Sequence, residues 1–403
     1  MTKRINLNAP EFLAWPWDYY TQLRHHSPVT QVPFAGPGTA WMITQYADVA
    51  AFLPDPRFVK SPRNILRAAS DPPFKEPAMP AFLRPLSYNM LDADGADHDR
   101  LRNLVHKVFT PKLIETLRTK IEAIANRLID HIKDAGTVDL VHDFALQLPA
   151  TVIANMLGVP ATDNDQFSIW SQKMTGSTSN VEQLLTMPYM WGFIRYVRRM
   201  VAARRAEPRD DLISALVQAS DVNDSLTDDE VLAMVVLLLV AGHETSASLI
   251  ATGTLALLLD PDQRHDLQQH PEIIKTAVEE ITRYATPVIN STERYAREDV
   301  VIHDVCIPKG AFAIAALGSA NHDETQFVKP DALNLRRTDN RHLAFGQGMH
   351  YCLGAPLARM ELQIAFHFLL ERLPNLRLAV AADKVRWRKS NFIRGLRSLP
   401  VRV

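Results

Sequence analysis

The sequence contains only two cysteines, Cys306 and Cys352, among its 403 residues. Two cysteines so far apart exclude a structural zinc site of the four-thiolate kind and any disulfide framework. They also predict a protein of a reducing compartment. A strong excess of charge is missing as well, because 44 basic and 45 acidic residues give a net charge of −1. This balance offers no electrostatic footprint for nucleic acid.

Long apolar segments are absent too. The longest run, Val231 to Gly242, covers 12 residues, which is too short to cross a bilayer. The first ten residues lack the apolar core of a signal peptide. We therefore expect a soluble, cytoplasmic protein.

Internal repeats, low-complexity tracts and an interdomain linker are also missing, and we predict a single domain over residues 1–403. Helical patterns dominate at 10–26, 46–53, 98–108, 112–134, 140–157, 181–206, 209–219, 227–259, 261–269, 271–285 and 355–371. Strand-like segments are few and lie at 38–44, 299–303, 311–317 and in pieces of 376–403. The chain is therefore predicted to be mainly α with a small β region, of the α+β class.

One cysteine lies in a glycine-rich loop over residues 345–354, directly before a helical pattern. Glycines in such a loop let the backbone pass close to a flat ligand. The loop is not a phosphate cradle, because it lacks the GxGxxG spacing after a strand and the Gly-Lys-Ser/Thr ending. Two other interpretations of Cys352 are a small buried hydrophobe and a nucleophile paired with His350. The second is disfavoured on a helix, where side chains two residues apart point in different directions.

The loop resembles the haem-binding loop of the cytochrome P450 family, in particular of its soluble bacterial members. The matching residues are Phe345, Gly346, Gly348, His350, Cys352 and Gly354. This resemblance covers about 10 to 403 and implies the cytochrome P450 fold, with a long central helix over haem b. It implies that Cys352 is the axial thiolate on iron, that His350 contacts a haem propionate, and that Phe345 and Gly346 belong to the cofactor site.

A second pair of candidate cofactor residues lies in the segment 98–109. His98 and Arg102 are four apart and share one helix face, which alone is also typical of an ordinary amphipathic helix with solvated cations. By the resemblance they hold a haem propionate, and Arg294 is the second propionate arginine. Arginine suits this role because its hydrogen bonds to carboxylates are charge-assisted.

The longest helical candidate begins at Thr227 with the spacing of a capping box. It then runs apolar on all sides, which predicts burial, until Glu244 and Thr245 interrupt it. Thr245 bonding back to the carbonyl of Ala241 is one explanation. The resemblance implies the oxygen-activation motif instead: Thr245 donates a hydrogen bond and holds a water, Glu244 relays protons, and Ala241 leaves room beside the haem.

Glu280 and Arg283 lie three apart on one helix face, a spacing that is commonplace on protein surfaces. They resemble the buried ExxR element of the family, with Arg337 as a third member of the ion network. His342 is interpreted as a satisfied structural histidine and Cys306 as inert.

The resemblance also outlines a substrate pocket, enclosed in part by the segments 61–92 and 165–190. Its predicted apolar lining is Leu237, Val240, Ala241, Val288, Ile289, Phe392 and Ile393. The implied substrate is a hydrophobic small molecule that is hydroxylated or epoxidised; terpene, fatty acid, steroid and polyketide all remain open.

Electrons must come from a separate protein, because the chain has no flavin or dinucleotide signature. The resemblance implies a ferredoxin-type donor with its NAD(P)H-dependent reductase, and a monomeric enzyme. Arg100, Lys107 and Lys112 are candidate docking charges, with a merely solvated face as the alternative.

The main rival function is a non-enzymatic haem sensor or carrier, which would leave Thr245 without a purpose. A peroxygenase and a Cys–His hydrolase are weaker alternatives.

Overall fold

The computed structural model describes residues 7, 9–33, 38–65, 80–163, 166–167, 169–170, 180–220, 226–390 and 392–403. Helices predominate, and the prediction of a mainly α chain with a small β region is confirmed. Most of the predicted proline-rich loop near 72–85 lies outside the described residues, as does part of the segment 165–190.

The α-helices of the described residues are α1 Pro10–Ala14, α2 Trp17–His26, α3 Tyr46–Phe52, α4 Gly95–Val108, α5 Pro111–Ile132, α6 Gln147–Met156, α7 Asn180–Ala206, α8 Leu212–Ser220, α9 Asp228–Leu259, α10 Pro261–Gln269, α11 Ile274–Tyr284, α12 Leu317–Asn321 and α13 Ala355–Arg372. The predicted helix over 140–157 is partly wrong, because a π-helical turn, Val141–Ala145, precedes α6.

The described strands are β1 Val29–Pro33, β2 Thr39–Ile43, β3 Phe58–Val59, β4 Thr137–Asp139, β5 Arg294–Ala296, β6 Val300–Ile302, β7 Val305–Ile307, β8 Phe312–Ala315, β9 Arg377–Leu378, β10 Arg386–Trp387, β11 Leu396–Ser398 and β12 Pro400–Arg402. Five of them form a mixed sheet in the order β1-β2-β8-β5-β3. β2 and β8 pair in parallel, with Trp41 opposite Ala313, and the other pairs are antiparallel.

The chain divides into two compact units. The first comprises Met1–Val59, Glu122–Leu148 and Thr245–Val403, and it holds the five-stranded sheet. The second comprises Lys60–Ile121 and Pro149–Glu244. In the second unit α8 packs against both α7 and α4.

Helix α9 corresponds to the longest predicted helix, for which a capping box at its start and burial on all sides were predicted. Its capping box is confirmed, since the Thr227 amide donates to Glu230 Oε2 at 2.7 Å and the Glu230 amide donates to Thr227 Oγ1 at 3.2 Å. Among the described residues it is the one helix long and apolar enough to cross a membrane, but 67% of its most apolar window is buried. Such burial is typical of a core helix in a soluble protein.

The C-terminal half of α9 packs closely in the first unit. A Cβ built on Gly253 would lie 2.5 Å from Ile281 Cγ2, on α11, and 2.7 Å from Phe366 Cζ, on α13. Only glycine therefore fits here without displacement of these two helices.

An ion network with a fully buried Glu280–Arg283 pair is centred on α11. Arg283 donates two hydrogen bonds of 2.8 Å to Glu280, and both side chains have no solvent exposure. Arg337 donates from Nε to Glu280 Oε2 at 3.0 Å. Arg283 also donates to the carbonyls of Asn321 and Pro330, at 2.7 and 2.8 Å.

Glu280→Ala is expected to destabilise the protein by about 3–5 kcal/mol, because it leaves two arginines without their carboxylate in the interior. Denaturant unfolding and haem content of the purified protein measure the effect. Asp266→Ala is the matched control, since Asp266 pairs with exposed Arg336 and a surface ion pair of this kind contributes little to stability. Equal stability of the two variants would contradict this prediction.

Candidate functional site

The cysteine loop has a defined backbone course. The Cys352 amide donates to the Phe345 carbonyl at 2.9 Å, which closes the loop on itself. Gly346 and Gly348 have φ angles of 69° and 75°, which residues with side chains rarely adopt. Gly348 also faces Pro54, whose Cα would lie 3.0 Å from an added Cβ. The loop leaves Cys352 exposed, and α13 begins three residues later.

Two basic residues of the first unit were predicted to share this site. Arg294 lies in β5, is 4% exposed, and its guanidinium carbon is 5.6 Å from the centroid of the Phe52 ring. His350 lies in a single 3₁₀ turn, Gly348–His350, and is partly buried. Both can donate hydrogen bonds to an anionic ligand.

The second unit holds the other two predicted basic residues on α4. His98 is 1% exposed and its Nδ1 lies 3.0 Å from Asp99 Oδ1. Arg102 follows one turn later and is partly buried. Asp94 directly precedes α4 and was not among the predicted site residues. Its carboxylate accepts hydrogen bonds from the Lys60 and Ser61 amides at 2.7 and 2.8 Å, and so ties that segment to the start of α4.

Helix α9 has an accessible stripe within an otherwise buried surface. Leu237 and Val240 are partly exposed and Ala241 is exposed, whereas Leu239 is fully buried. Farther along the helix, Thr245 is partly accessible. Four of the predicted residues therefore lie on one side of the helix, at the spacing of successive turns: Leu237, Val240, Ala241 and Thr245.

The remaining predicted pocket residues differ in their surroundings. Val288 and Ile393 form an isolated antiparallel bridge, and Phe392 is 37% exposed. Ile289 is 1% exposed and belongs to a core cluster with Trp17 and Ile314. Its side chain therefore stabilises the fold of the first unit.

Sequence reasoning missed an ion pair beside the cysteine loop. Arg359 of α13 donates to both carboxylate oxygens of Glu279, at 2.6 and 2.8 Å. His342 Nε2 lies 3.1 Å from Glu279 Oε2, which confirms that His342 is a satisfied histidine. Although burial favours the neutral acid, the hydrogen bonds from Arg359 and His342 lower the pKa of Glu279 to about 2.

A buried acid on α13 was missed as well. Glu361 is 2% exposed, and desolvation raises its pKa to about 8 in spite of a hydrogen bond with Ser246, the residue after Thr245. The carboxyl group is therefore protonated at neutral pH. The signal in the sequence is an acid on the apolar side of α13, which becomes informative only once the packing is known.

The donor set fits a haem. An accessible thiol in a glycine loop supplies a soft ligand for iron, while imidazole and guanidinium groups suit the carboxylates of a porphyrin. A fold dominated by helices, with this loop before α13, defines the class of haem-thiolate oxygenases.

Comparison with known proteins agrees with this class. The profile of the family described as Cytochrome P450 matches residues 167–374. The polyketide biosynthesis cytochrome P450 PksS of Bacillus subtilis is 41% identical over 98% of this chain and 97% of its own. Its solved structure superposes with a TM-score of 0.91 at 40% identity, over 99% of both chains.

Two further relatives extend the comparison. Mycinamicin IV hydroxylase/epoxidase of Micromonospora griseorubida is 41% identical over 95% of this chain and 94% of its own. The crystal structure of the myxobacterial cytochrome P450 CYP267B1 in complex with myristic acid has a TM-score of 0.89 at 37% identity, over 98% of both chains. The chain belongs to the cytochrome P450 family. It is a monooxygenase with haem as its cofactor.

The raised pKa of Glu361 predicts a pH-dependent stability. Between the pKa of the unfolded carboxyl, near 4.5, and the folded value of about 8, the folded protein binds one more proton than the unfolded chain. The stability that Glu361 contributes through this proton is therefore complete at low pH and is lost as the pH rises through 8. From pH 6 to pH 8 the wild type should lose about 2 kcal/mol more of its free energy of unfolding than Glu361→Gln. Denaturant titrations of both proteins at the two pH values test this, and parallel pH profiles would contradict it.

Proposed function

We propose that this enzyme hydroxylates or epoxidises a hydrophobic small molecule, with Cys352 as the thiolate ligand of its haem iron. The observation that carries the proposal is the closed glycine loop in which Cys352 is exposed. The haem, when bound, supplies the activation of dioxygen, which a thiolate ligand favours. Phe345 and Gly346 belong to the same loop and form part of the cofactor site.

Four basic residues bind the haem propionates in this proposal. They are His350, Arg294, His98 and Arg102, the residues for which the family resemblance implies this role. His98 and Arg294 are both buried, and imidazole and guanidinium groups can donate hydrogen bonds to an anionic ligand. Glu280, Arg283 and Arg337 act at a distance, as the ion network that stabilises the chain before the cysteine loop.

Thr245 and Glu244 hold and move protons. Thr245 is partly accessible on a helix that is otherwise apolar, and Glu244 is 3% exposed. A hydroxyl can both donate and accept a hydrogen bond, so Thr245 can hold a water and donate to dioxygen. Glu244 relays protons to it, and the small side chain of Ala241 leaves room for the oxygen molecule.

Thr245→Ala is expected to retain haem and substrate binding but to lose product by roughly 10²-fold, because the proton-transfer step is impaired. The measurement is product, hydrogen peroxide and NAD(P)H consumed per turnover. Thr252→Ala is the matched control, because buried Thr252 donates only to the Ser248 carbonyl of the same helix. Unchanged product per NAD(P)H in Thr245→Ala would refute the role.

The substrate is proposed to be a polyketide-derived molecule, with a long-chain fatty acid as the second candidate. The predicted pocket residues all carry apolar side chains, which suits a hydrophobic substrate: Leu237, Val240, Ala241, Val288, Ile289, Phe392 and Ile393. The names of PksS and of the mycinamicin hydroxylase support the first candidate, and the myristic acid complex supports the second. Mycinamicin IV and myristic acid are therefore the probes for spectral binding and for the coupling assay.

Electrons come from a ferredoxin-type protein and its NAD(P)H-dependent reductase. Lys107 of α4 and Lys112 of α5 are exposed and suit an acidic partner. Arg100 is less suited to docking than these lysines, because its guanidinium forms an ion pair with Glu230. As exposed charges, Lys107 and Lys112 would act mainly on the rate of association.

The double variant Lys107→Glu/Lys112→Glu is expected to slow reduction by a ferredoxin at least tenfold at low salt, with a smaller difference at high salt, because the charges are screened. Stopped-flow reduction at several ionic strengths measures this. Lys384→Glu, at an exposed lysine beside Asp383, makes the same kind of charge change as a control. Equal reduction rates in the wild type, the double variant and Lys384→Glu would contradict a docking surface at Lys107 and Lys112.

The rival function, a haem sensor or carrier, is distinguished by turnover. It predicts haem binding without product from either probe, whereas the monooxygenase yields an oxygenated product that depends on Thr245. We propose a cytoplasmic monomer that works as a single domain over residues 1–403.

A further inference from the structure

Arg359 holds both sides of the cysteine loop. Its guanidinium carbon lies 4.5 Å from the centroid of the Phe345 ring, and its Nη1 donates to the Tyr351 hydroxyl at 3.1 Å. Phe345 accepts the hydrogen bond of the Cys352 amide, and Tyr351 directly precedes Cys352. One side chain of α13 therefore restrains the loop at its beginning and at its end.

These contacts need the shape of arginine. The guanidinium uses Nε and Nη2 for Glu279 and Nη1 for Tyr351, while its carbon lies over the Phe345 ring. A lysine ammonium keeps the charge but cannot make the bidentate contact and the ring contact together. Shape and charge of Arg359 can therefore be tested separately.

The charges of the pair act in opposite directions on a nearby thiolate. A cation beside the loop stabilises negative charge on sulfur and reduces its electron donation to a metal, while an anion does the reverse. Arg359 and Glu279 are 30% and 29% exposed, so solvent screens both charges in part. The ion pair joins them in one network within the first unit.

We propose that Arg359 is a positioning residue for Cys352, which together with Glu279 fixes the course of the cysteine loop and sets the reduction potential of the haem. This inference rests on the proposed function, because it requires Cys352 to be the iron ligand. The reduction potential is an equilibrium property of the holoenzyme, so it can be measured without a redox partner.

The test is an equilibrium redox titration of the holoenzyme with small mediators, without ferredoxin, for Arg359→Met and Glu279→Gln. Arg359→Met is expected to lower the potential, because it removes the cation and leaves the anion. Glu279→Gln is expected to raise the potential, because it leaves the cation. At a fixed applied potential the ferrous to ferric ratio should change by about two- to fivefold in each direction, the range of a partly exposed charge pair.

Opposite signs separate this account from a merely structural role, in which both variants would loosen the loop and shift the potential the same way. Arg336→Met and Asp266→Asn are matched controls, since that exposed pair is also bidentate, at 2.6 and 2.7 Å, and both should keep the wild-type potential. Unchanged potentials, or shifts of one sign in both test variants, would overturn the inference.

Arg359→Lys covers the case in which Arg359→Met fails to bind haem. It should keep a potential close to the wild type but lose the thiolate-ligated carbon monoxide complex severalfold faster, because the ring contact and the bidentate contact are gone. A wild-type lifetime of that complex in Arg359→Lys would contradict the positioning role. If the wild type itself lacks a thiolate-type spectrum, the proposed function fails, which is a different result from normal spectra with unchanged potentials.

Discussion

The buried Glu280–Arg283 pair is the interaction on which the cysteine loop depends. Both side chains are fully buried, so each charge must be satisfied by protein groups. The Asn334 amide and the Asn340 side chain also donate to Glu280, at 3.0 and 3.2 Å. The pair thus fixes the irregular chain that leads to the loop, because this chain supplies the groups that the interior charges require.

Two consecutive acids of α11 connect different parts of the site. Glu280 satisfies the interior arginines, and Glu279 reaches Arg359 on the helix that follows the loop. Asn321 links Arg283 to the chain just before the loop: its carbonyl accepts from Arg283, and its Oδ1 accepts the Leu343 amide at 2.7 Å. The loop is therefore held from the segment before it and from the helix after it, which suits a ligand that must keep one geometry through a redox cycle.

The sequence predicted the long helices and the family motifs well, because apolar periodicity, the Thr227 capping box and the cysteine loop are local patterns. The short strands β1, β3, β4, β5 and β7 were missed, since segments of two to five residues carry little periodicity and are defined by their partners. The roles of Asp94, Arg359 and Glu361 could not be predicted for a related reason. Each is an ordinary polar residue whose role comes from contacts with residues distant in sequence.

The most direct test of the central claim is the absorption spectrum of the dithionite-reduced protein with carbon monoxide, for the wild type and for Cys352→Ser and Cys306→Ser. Thiolate ligation predicts a strongly red-shifted Soret band in the wild type and in Cys306→Ser, and its loss in Cys352→Ser. Cys306 is a fair control, because it is also an exposed cysteine. A band typical of histidine ligation in the wild type, or a red-shifted band in Cys352→Ser, would contradict the assignment of Cys352 as the iron ligand.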